Sequence, residues 1–310
     1  MNNNIAISVK NLTKVYNAGS NNETLALDNI SLDITAGTIF GLLGPNGAGK
    51  STFINILADL VRKSEGDIKI LETDHASNLK KVKSLMGVVP QELNIDPFFT
   101  PFELLEIHAG LYGVPKKERH TMEILGMLAL EDKAHVYART LSGGMRRRLL
   151  IAKAMVHDPD ILILDEPTAG VDVELRTNLW KNIEKLNSKG KTIIITTHYL
   201  HEAEELCNEI AIIDEGKLIA HDRTSKIKSL IDNREIKIIH NIQNNLDLSL
   251  LKNLNIDLKT NGQTLEINYK PSEIKFNDLL KAINESKIDI QDISIKETRL
   301  EDVFLKLTQS

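Results

Sequence analysis

The sequence predicts an α/β fold, in which helices cover both faces of a mainly parallel β-sheet, followed by a small C-terminal α+β domain. Short apolar segments alternate with helical patterns between residues 39 and 213, as a parallel sheet requires. After about residue 224, glycine becomes rare and Asn, Lys and Ile become frequent. A chain of 310 residues has room for about two domains of ~150 residues. We therefore expect one domain at 1–224 and a second at 225–310.

Apolar periodicity and turn residues place the elements of the first domain. The strands are expected at 5–16, 24–34, Ile39–Leu43, directly after the turn "SEGD", Ile161–Leu164, Thr192–Thr197 and 210–213. The helices are expected at Lys50–Val61, in a helical subdomain at about 92–156, at Asp172–Lys189 and at 200–208. The helix at Asp172 is predicted to be capped by that residue and ended by Gly190, with one face formed by Leu175, Leu179, Ile183 and Leu186.

The second domain is predicted to contain helices and strands in a simple order. A strand and a short helix come first, and two strands follow at 257–260 and 264–270. A helix at 274–286, a strand at 288–296 and a final helix complete the domain. No motif in this part of the sequence indicates its role.

The composition excludes several classes of protein. The net charge is −5, whereas nucleic-acid-binding proteins are more often basic, so no nucleic-acid partner is expected. Cys207 is the single cysteine, which excludes an internal disulfide, and its helical context favours burial over reactivity. The N-terminus lacks a signal-peptide pattern, and no apolar run approaches the ~18 residues that span a bilayer. We expect a cytoplasmic protein that reaches a membrane only through a partner.

The stretch "GLLGPNGAGKST" at 41–52 predicts a phosphate-binding loop. Gly44 and the run Gly49-Lys50-Ser51 match the pattern G-x-x-x-x-G-K-[ST], between an apolar strand and a helix. Glycines allow successive backbone N–H groups to turn towards phosphate oxygens. Lys50 is expected to reach the β- and γ-phosphates, and the Ser51 hydroxyl is expected to bind Mg²⁺.

Two further strands end in polar side chains that fit the same chemistry. Asp165 and Glu166 follow the apolar strand in "DILILDEPTAG", at the end where α/β sheets bind ligands. We assign Asp165 to the metal and Glu166 to general-base catalysis or water orientation. His198 ends the strand "TIIITTH", where it is predicted to contact a γ-phosphate or polarise the attacking water.

A second glycine turn occurs almost a hundred residues after the first. In "RTLSGGMRRRLLIAKAM", Ser142 is a favourable N-cap, and Gly143 and Gly144 occupy the first helical turn. Each glycine there costs up to ~1 kcal/mol relative to alanine. A bare helix N-terminus binds anions, so one chain carries two phosphate sites.

These motifs together resemble the ATP-binding subunit of an ABC transporter, over about residues 5–222. In family terms, Tyr16 matches the aromatic residue that stacks on adenine, Gln91 in "VVPQELN" the Q-loop and "LSGGM" at 141–145 the signature. "AGVD" at 169–172 matches the D-loop, Asp165 and Glu166 match the Walker B pair, and His198 matches the switch histidine. The residues that match the Walker A loop are Gly44, Pro45, Asn46, Gly47, Ala48, Gly49, Lys50, Ser51 and Thr52.

The resemblance implies a P-loop NTPase core with an antiparallel β subdomain and a helical subdomain. It also implies ATP and Mg²⁺ as cofactors, with Ser51, Gln91 and Asp165 at the metal. In this family two subunits meet head to tail, and the signature turn of one caps the γ-phosphate on the Walker A loop of the other. The implied contributions to catalysis come from Glu166, His198 and Gln91, and those to the shared nucleotide from Ser142, Gly143, Gly144 and Asp172.

Longer stretches resemble the ATPase subunits of ABC-2-type exporters. These are "LSGGMRRRLLIAKAMVHDP", "LDEPTAGVDVELRTNLW" and "RLEDVFLKLT" at Arg299–Thr308. The resemblance implies a separate membrane permease as partner, which would hold this chain at the inner face of the cell membrane. Met145 departs from the wider family, which more often has glutamine there, and methionine cannot make the same hydrogen bond.

Two alternatives remain at the level of sequence. The first is a soluble ABC ATPase that acts on nucleic acid or ribosomes, although the chain has one Walker A motif and no long insertion between Gln91 and Ser142. Arg146–Arg148 are expected to form a solvated helix face rather than a nucleic-acid footprint. The second concerns Phe98, Phe99 and Phe102, which either line a groove for a permease helix or form the core of the helical subdomain.

Overall fold

The computed structural model describes residues 4–169, 171, 173–241, 248–286, 288–296 and 298–308, with the side chains of residues 173–175 excepted. The chain divides into two compact units, Met1–Thr224 and Ser225–Ser310, which are described separately. Asp172, predicted to cap a helix and to contact nucleotide, lies outside the described residues.

The first unit contains ten strands and seven helices among the residues that the structure describes. The strands are β1 (Ile5–Tyr16), β2 (Thr24–Thr35), β3 (Ile39–Leu43), β4 (Glu65–Ile70), β5 (Thr73–Asp74), β6 (Met86–Val89), β7 (Ile161–Asp165), β8 (Thr192–Thr197), β9 (Glu209–Asp214) and β10 (Lys217–Arg223). The helices are α1 (Lys50–Leu57), α2 (Leu79–Leu85), α3 (Pro101–Leu111), α4 (Thr121–Met127), α5 (Gly143–Met155), α6 (Val173–Ser188) and α7 (Leu200–Leu206).

Two sheets organise this unit, and the predicted α/β class is confirmed. The larger sheet has the order β10-β9-β3-β8-β7-β6, and all its neighbours are parallel except the hairpin of β9 and β10. The smaller sheet is antiparallel, with the order β2-β1-β4-β5. Strands β5, β6 and β10 and helix α2 were not anticipated from the sequence. Strand β10 follows a tight turn in which Glu215 (φ 45°) and Gly216 (φ 77°) both have positive φ, as a two-residue hairpin loop requires.

A single buried cluster joins the two sheets and fixes the position of α1. It includes Ile7 and Ile30 of the smaller sheet, Ile163 and Ile194 of the larger one, and Phe53 of α1. Because α1 begins where β3 ends, this packing holds its N-terminus at the carboxyl edge of the parallel strands. Open α/β sheets bind their ligands at that edge.

Three helix boundaries differ from the sequence prediction. Helix α1 ends at Leu57 rather than Val61, because Asp59 adopts φ 57° and the Leu60 amide turns back to the Asn55 carbonyl (2.8 Å). Helix α7 ends at Leu206, two residues early, where Cys207 caps it in an extended conformation. Helix α6 ends at Ser188, one residue early.

Other expectations for these helices are confirmed. Leu179, Ile183 and Leu186 of α6 are buried, and Gly190 (φ 90°) follows its end in the left-handed region. The side chain of Leu175 lies outside the description. Cys207 is buried, and burial raises the pKa of its thiol, so it is an unreactive core residue.

Helices α3, α4 and α5 pack against one another and form the helical part of the first unit. A capping box starts α3: the Thr100 hydroxyl accepts from the Glu103 amide (3.2 Å), and the Glu103 carboxylate accepts from the Thr100 amide (2.9 Å). Short 3₁₀ turns at Lys116–Glu118, Glu131–Lys133 and Ala138–Thr140 connect the helices.

The second unit is a small α+β domain, as predicted. Its elements are α8 (Thr224–Lys228, which begins at the last residue of the first unit), β11 (Arg234–His240), α9 (Ser249–Lys252), β12 (Asp257–Asn261), β13 (Thr264–Tyr269), α10 (Phe276–Glu285), β14 (Ile290–Lys296) and α11 (Leu300–Thr308). The strands form an antiparallel sheet with the order β12-β13-β11-β14. Its core packs Leu279 and Ile283 of α10 on Ile236, Ile238 and Ile267 of the sheet.

Across the described ranges, no helix combines the length and the apolar character needed to cross a bilayer.

Candidate functional site

The loop between β3 and α1 is shaped by glycines that no other residue can replace. Gly49, the N-cap of α1, has φ 108°, and a Cβ there would lie 2.7 Å from the Ala26 carbonyl oxygen. A Cβ at Gly44 would collide with the carbonyl of Ile213 on β9. The loop therefore packs directly on its neighbours, and its backbone amides stand at the carboxyl edge of the sheet.

Lys50 is the first residue of α1, and its side chain is buried against this loop. The Nζ atom donates to the carbonyl oxygens of Gly44 (2.7 Å) and Pro45 (2.9 Å). Burial lowers the pKa of the ammonium group, and the nearby charges of Glu166 and Asp165 act in the opposite direction. A partly desolvated cation thus stands between the loop and the two carboxylates.

Thr196 on β8 orients both residues at the end of β7. Its hydroxyl donates to the Asp165 carboxylate and accepts from the Glu166 amide (2.9 Å). The same amide donates to the Thr196 carbonyl (3.1 Å), which holds Glu166 in the left-handed region at φ 46°. Thr196 was not predicted from the sequence; the available signal was the change from three isoleucines to Thr196 and Thr197 at the end of the strand, directly before His198.

The Glu166 carboxylate brings together the three residues that were predicted to act in catalysis. Its Oε2 atom accepts from Gln91 Nε2 (2.9 Å), and its Oε1 atom lies 3.2 Å from His198 Nδ1. These residues come from the segments after β6, β7 and β8, which are adjacent in the sheet. The arrangement can hold a water molecule for deprotonation, with an amide and an imidazole fixing the direction of the carboxylate.

The ring of His198 is supported by residues that the sequence analysis did not identify. Its ring centroid lies 4.1 Å from that of Tyr199, and the Arg176 guanidinium lies 4.8 Å from the centre of the Tyr199 ring. A second link between α6 and α7 is the hydrogen bond from the Trp180 indole to the Glu202 carboxylate (2.9 Å). Helix α6 is thereby tied to the segment that carries His198.

A cleft of about 460 Å³ lies over these groups. Half of the predicted site residues line it, namely Asn46, Gly47, Gly49, Lys50, Ser51, Thr52, Gln91, Glu166 and His198. Thr24, Leu25 and Ala26 of β2 complete the lining. A larger cavity of about 990 Å³ lies on the smaller sheet, but its lining residues carry opposing charges and include none of the predicted site residues. The smaller cleft is therefore the better candidate for a phosphate ligand.

Tyr16, predicted to stack on adenine, lies beside the start of α1. Its hydroxyl is 3.5 Å from the Thr52 hydroxyl, and Lys14 Nζ lies 4.7 Å from the centre of its ring. The ring is half-buried at the end of β1. Tyr16 is adjacent to the cleft without being part of its lining.

The second glycine turn stands outside the cleft. The Ser142 hydroxyl caps α5 by accepting a hydrogen bond from the Met145 amide (3.3 Å), and the space beside Gly143 is open. Gly144 lines a different cavity, of about 310 Å³, together with residues of α6. Within one chain, then, the predicted second phosphate site and the first are not parts of one pocket.

The expectation of a solvated arginine face at Arg146–Arg148 is wrong for its central residue. Arg147 is only 4% exposed, and its guanidinium donates to the carbonyls of Pro90 (2.9 Å) and Glu166 (3.1 Å). Burial lowers the pKa of Arg147, while Asp165 and Glu166 raise it. Arg148 donates to the carbonyl of Leu128 (2.8 Å). These arginines bind backbone of their own chain.

We expect the Arg147→Met variant to lose about 1–3 kcal/mol of unfolding free energy for each carbonyl left unpaired. Because both carbonyls belong to segments that carry Gln91 and Glu166, hydrolysis should fall as well. Urea unfolding and ATPase rates measure the two effects. Arg62→Met, at an exposed position, is the matched control and should change neither. A fully stable and active Arg147→Met protein would contradict this role.

The three phenylalanines after Gln91 differ in exposure. Phe98 is 70% exposed and Phe99 is also exposed, so these two do not form the core of the helical subdomain. Phe102 is half-buried, with its ring 5.2 Å from that of His135. Of the two predictions, a place in the core of the helical subdomain therefore applies at most to Phe102.

The residues present fit a magnesium nucleotide. Among the described residues no three His, Cys, Asp or Glu side chains form a metal cluster of their own. The exposed Ser51 hydroxyl and the Gln91 amide line the cleft, and the charge of the Asp165 carboxylate acts on Lys50, so these three residues would supply oxygen ligands beside the phosphate-binding loop. Magnesium typically binds through such sparse oxygen ligands, waters and phosphates.

Comparisons with known proteins agree with this geometry. The family model described as "ABC transporter" matches residues 27–169. The Nod factor export ATP-binding protein I of Ralstonia nicotianae is 33% identical over 97% of this chain and 93% of its own length. The daunorubicin/doxorubicin resistance ATP-binding protein of Streptomyces peucetius is also 33% identical, over 98% of this chain and 92% of its own length.

Solved structures resemble a large part of the chain. A dimeric ATP-binding cassette in a post-hydrolysis state with ADP and phosphate has a TM-score of 0.64 and 29% identity, covering 70% of this chain and 98% of its own. The structure of an ATP-binding subunit of an ABC transporter has a TM-score of 0.64 and 26% identity, covering 73% of this chain and 92% of its own.

Proposed function

The chain belongs to the ABC transporter ATP-binding proteins and is an ATPase of the exporter type, and we propose that it hydrolyses ATP as a head-to-tail dimer that drives a separate membrane permease. One observation carries the proposal: Gln91, Glu166 and His198 converge on the Walker A cleft, whereas the second anion-binding turn faces elsewhere. A single chain then holds half of each of two sites.

The roles of the residues follow from this division. The amides of the Walker A loop and Lys50 bind the β- and γ-phosphates of ATP in one subunit. Ser142, Gly143 and Gly144 of the other subunit close on the same γ-phosphate, because a bare helix N-terminus favours negative charge. Asp172 of the D-loop contributes next to this interface, and Tyr16 supports the adenine.

Hydrolysis uses the groups around Glu166. Its carboxylate takes a proton from the attacking water, while Gln91 and His198 hold the carboxylate in direction through the contacts at 2.9 and 3.2 Å. Magnesium, held by Ser51, Asp165 and Gln91, would screen the phosphate charge. Loss of the γ-phosphate removes the anion that joins the two subunits, so the dimer opens.

The exposed Phe98 and Phe99 support a contact with a membrane subunit. They follow Gln91 by seven and eight residues, so a helix docked on them would contact the segment that leaves the catalytic cleft. Large apolar side chains exposed together commonly mark an interaction surface.

The second unit is proposed as an accessory domain, and the first, at 1–224, as the nucleotide-binding domain. The permease would keep the ATPase at the inner face of the cell membrane.

A soluble ABC ATPase that acts on nucleic acid or ribosomes is the second candidate. Its main support in the sequence was the run Arg146–Arg148. Because Arg147 and Arg148 bind backbone carbonyls, that run supplies little charge for phosphates of another molecule. The exporter is therefore favoured, and co-purification with a polytopic membrane protein distinguishes the two.

A mixing experiment tests the shared site. Lys50→Ala disables the Walker A half, and Ser142→Arg fills the space of the signature half, so each variant alone should be inactive. A heterodimer combines both lesions in one composite site and leaves the other intact. ATPase activity should therefore recover in part when the variants are mixed, measured against the mixing ratio, with differential tags confirming heterodimers.

Two results would contradict the shared site. One is a complete absence of recovery despite confirmed heterodimers. The other is loss of ATP affinity in monomeric Ser142→Arg, because that would place the signature turn in the pocket of its own chain. The wild-type protein carrying the same tags is the control for the effect of the tags on the rate.

A further inference from the structure

Strand β14 is an exposed edge of the sheet in the second unit. It pairs with β11 on one side only, and all seven residues of Ile290–Lys296 are exposed. An unpaired edge presents a row of backbone donors and acceptors that can pair with another strand. Within the described part of the chain, no strand pairs with its other side.

The backbone of β14 shows which residues face outward. The Ile293 amide donates to the side chain of Asp292 (2.8 Å) instead of a carbonyl of β11, so it points away from β11. In an antiparallel strand the direction of the backbone groups alternates along the chain. The backbone N–H and C=O of Ile295 therefore also point to the open edge, whereas those of Ser294 point to β11.

The side chains of Ile293 and Ile295 extend the apolar face of the sheet. They are paired with Ile238 and Ile236, which are fully buried in the core under α10. Residues opposite each other in a ladder share one face. Ile293 and Ile295 are nevertheless 41% and 46% exposed, so the apolar face continues beyond the part that α10 covers.

We propose that β14 pairs antiparallel with β14 of a second copy of this chain, in the register centred on Ser294. This register places Ile293 opposite Ile295 of the second copy and Asp292 opposite Lys296 of the second copy. A register centred on Ile293 would instead put Asp292 opposite Ser294 and Ile290 opposite Lys296. The sequence "DISIK" is thus self-complementary in charge and in apolar contact, which favours a copy of the same chain as the partner.

The pairing changes few existing contacts. The backbone groups of Ile293 and Ile295 face the open edge in both copies. Each of the two Ile293–Ile295 pairs across the contact therefore exchanges two backbone hydrogen bonds, which gives four in total. The Asp292 carboxylate releases the Ile293 amide and turns to Lys296 of the second copy. In the single chain, Lys296 Nζ lies 3.9 Å from Glu235 Oε2 and is exposed. It can therefore lie near both the Glu235 carboxylate of its own chain and the Asp292 carboxylate of the second copy. This contact lies in the second unit and needs no nucleotide, so it is independent of the proposed ATP-dependent contact.

Cysteine cross-linking in the full-length chain tests the register. Ser294 lies on the two-fold axis in a non-hydrogen-bonded pair, where Cα atoms are about 4.5 Å apart and a disulfide can form. Under mild oxidation without nucleotide, Ser294→Cys should form covalent dimers about tenfold faster than Asp292→Cys, whose two copies would be about 13 Å apart along the strands. Cys207 is buried and does not interfere. Equal rates for the two variants would overturn the proposal.

Charge reversal provides the second test, in the Ser294→Cys background. Asp292→Lys places two lysines together and should slow cross-linking, and adding Lys296→Asp should restore the rate. Failure of the double reversal to restore it would contradict the register. Adding Lys50→Ala to Ser294→Cys should leave cross-linking unchanged, so that loss of the ATP-dependent contact is distinguishable from loss of this one.

Hydrogen exchange of the wild-type chain provides a check without substitutions. The amides of Ile293 and Ile295 should exchange more slowly as the protein concentration rises. Exchange that is independent of concentration up to the highest soluble concentration would overturn the proposal.

Discussion

ATP hydrolysis by Glu166→Gln should be about 10²–10⁴-fold slower than that of the wild type, with ATP binding retained. Glu166 supplies the one carboxylate among the described residues that line the cleft, and two neighbours hold it, Gln91 Nε2 at 2.9 Å and His198 Nδ1 at 3.2 Å. Glutamine keeps the size of the side chain but has little basicity. Steady-state phosphate release measures the rate, and a fluorescent ATP analogue measures binding.

The same variant also reports on the dimer. With saturating Mg·ATP, Glu166→Gln should gain an ATP-dependent dimer in light scattering, because the γ-phosphate that joins the subunits is no longer removed. Glu92→Gln is the control, since Glu92 is exposed and lies outside the cleft lining. A Glu166→Gln protein that hydrolyses ATP at the wild-type rate would refute its assigned role.

Replacement of Lys50 by alanine should abolish hydrolysis and weaken ATP binding about ten- to a hundredfold. The ammonium group is the cation buried at the Walker A loop, and a hydrogen bond between charged groups contributes about 1.5–3 kcal/mol. Without it, repulsion between the β- and γ-phosphates is less well screened. Isothermal titration with a non-hydrolysable ATP analogue measures the affinity.

Lys80→Ala is the matched control for Lys50→Ala, because Lys80 is an exposed lysine on α2, outside the cleft. It should bind and hydrolyse ATP normally. Near-normal turnover by Lys50→Ala, with the fold confirmed by circular dichroism, would remove the basis for the phosphate assignment at this loop.

The parts of the site that could be predicted from the sequence are those built from local geometry. A loop such as 44–49 needs glycine at fixed spacing, because its backbone must turn towards an anion and pack on its neighbours. Polar residues that follow an apolar strand can be recognised in the sequence, whatever the order of the strands in the sheet. Glu166 and His198 could thus be named, whereas Gln91 was named only from the resemblance to a family, because strand β6 before it was not predicted. The meeting of the three residues follows from the order β8-β7-β6.

The supporting residues could not be predicted, because their contacts join distant parts of the chain. Arg147 bonds to residues 57 and 19 positions away, and its neighbours in sequence suggested a charged surface. Thr196 acts on the adjacent strand, which only the strand order and register reveal. Tyr199 and Arg176 meet because α6 packs beside the segment that follows β8. In each case the packing of elements decides the role of the side chain.

Glu166 stands at a position where folding and turnover make opposite demands. Its φ of 46° lies in the left-handed region, which costs a residue with a side chain about 1–2 kcal/mol and which glycine adopts without that steric cost. A glycine there would relieve the strain, although its greater freedom in the unfolded chain offsets part of the gain, and it would remove the proposed base. The strained backbone and the base therefore belong to one residue, so the strain cannot be relieved by glycine without loss of catalysis.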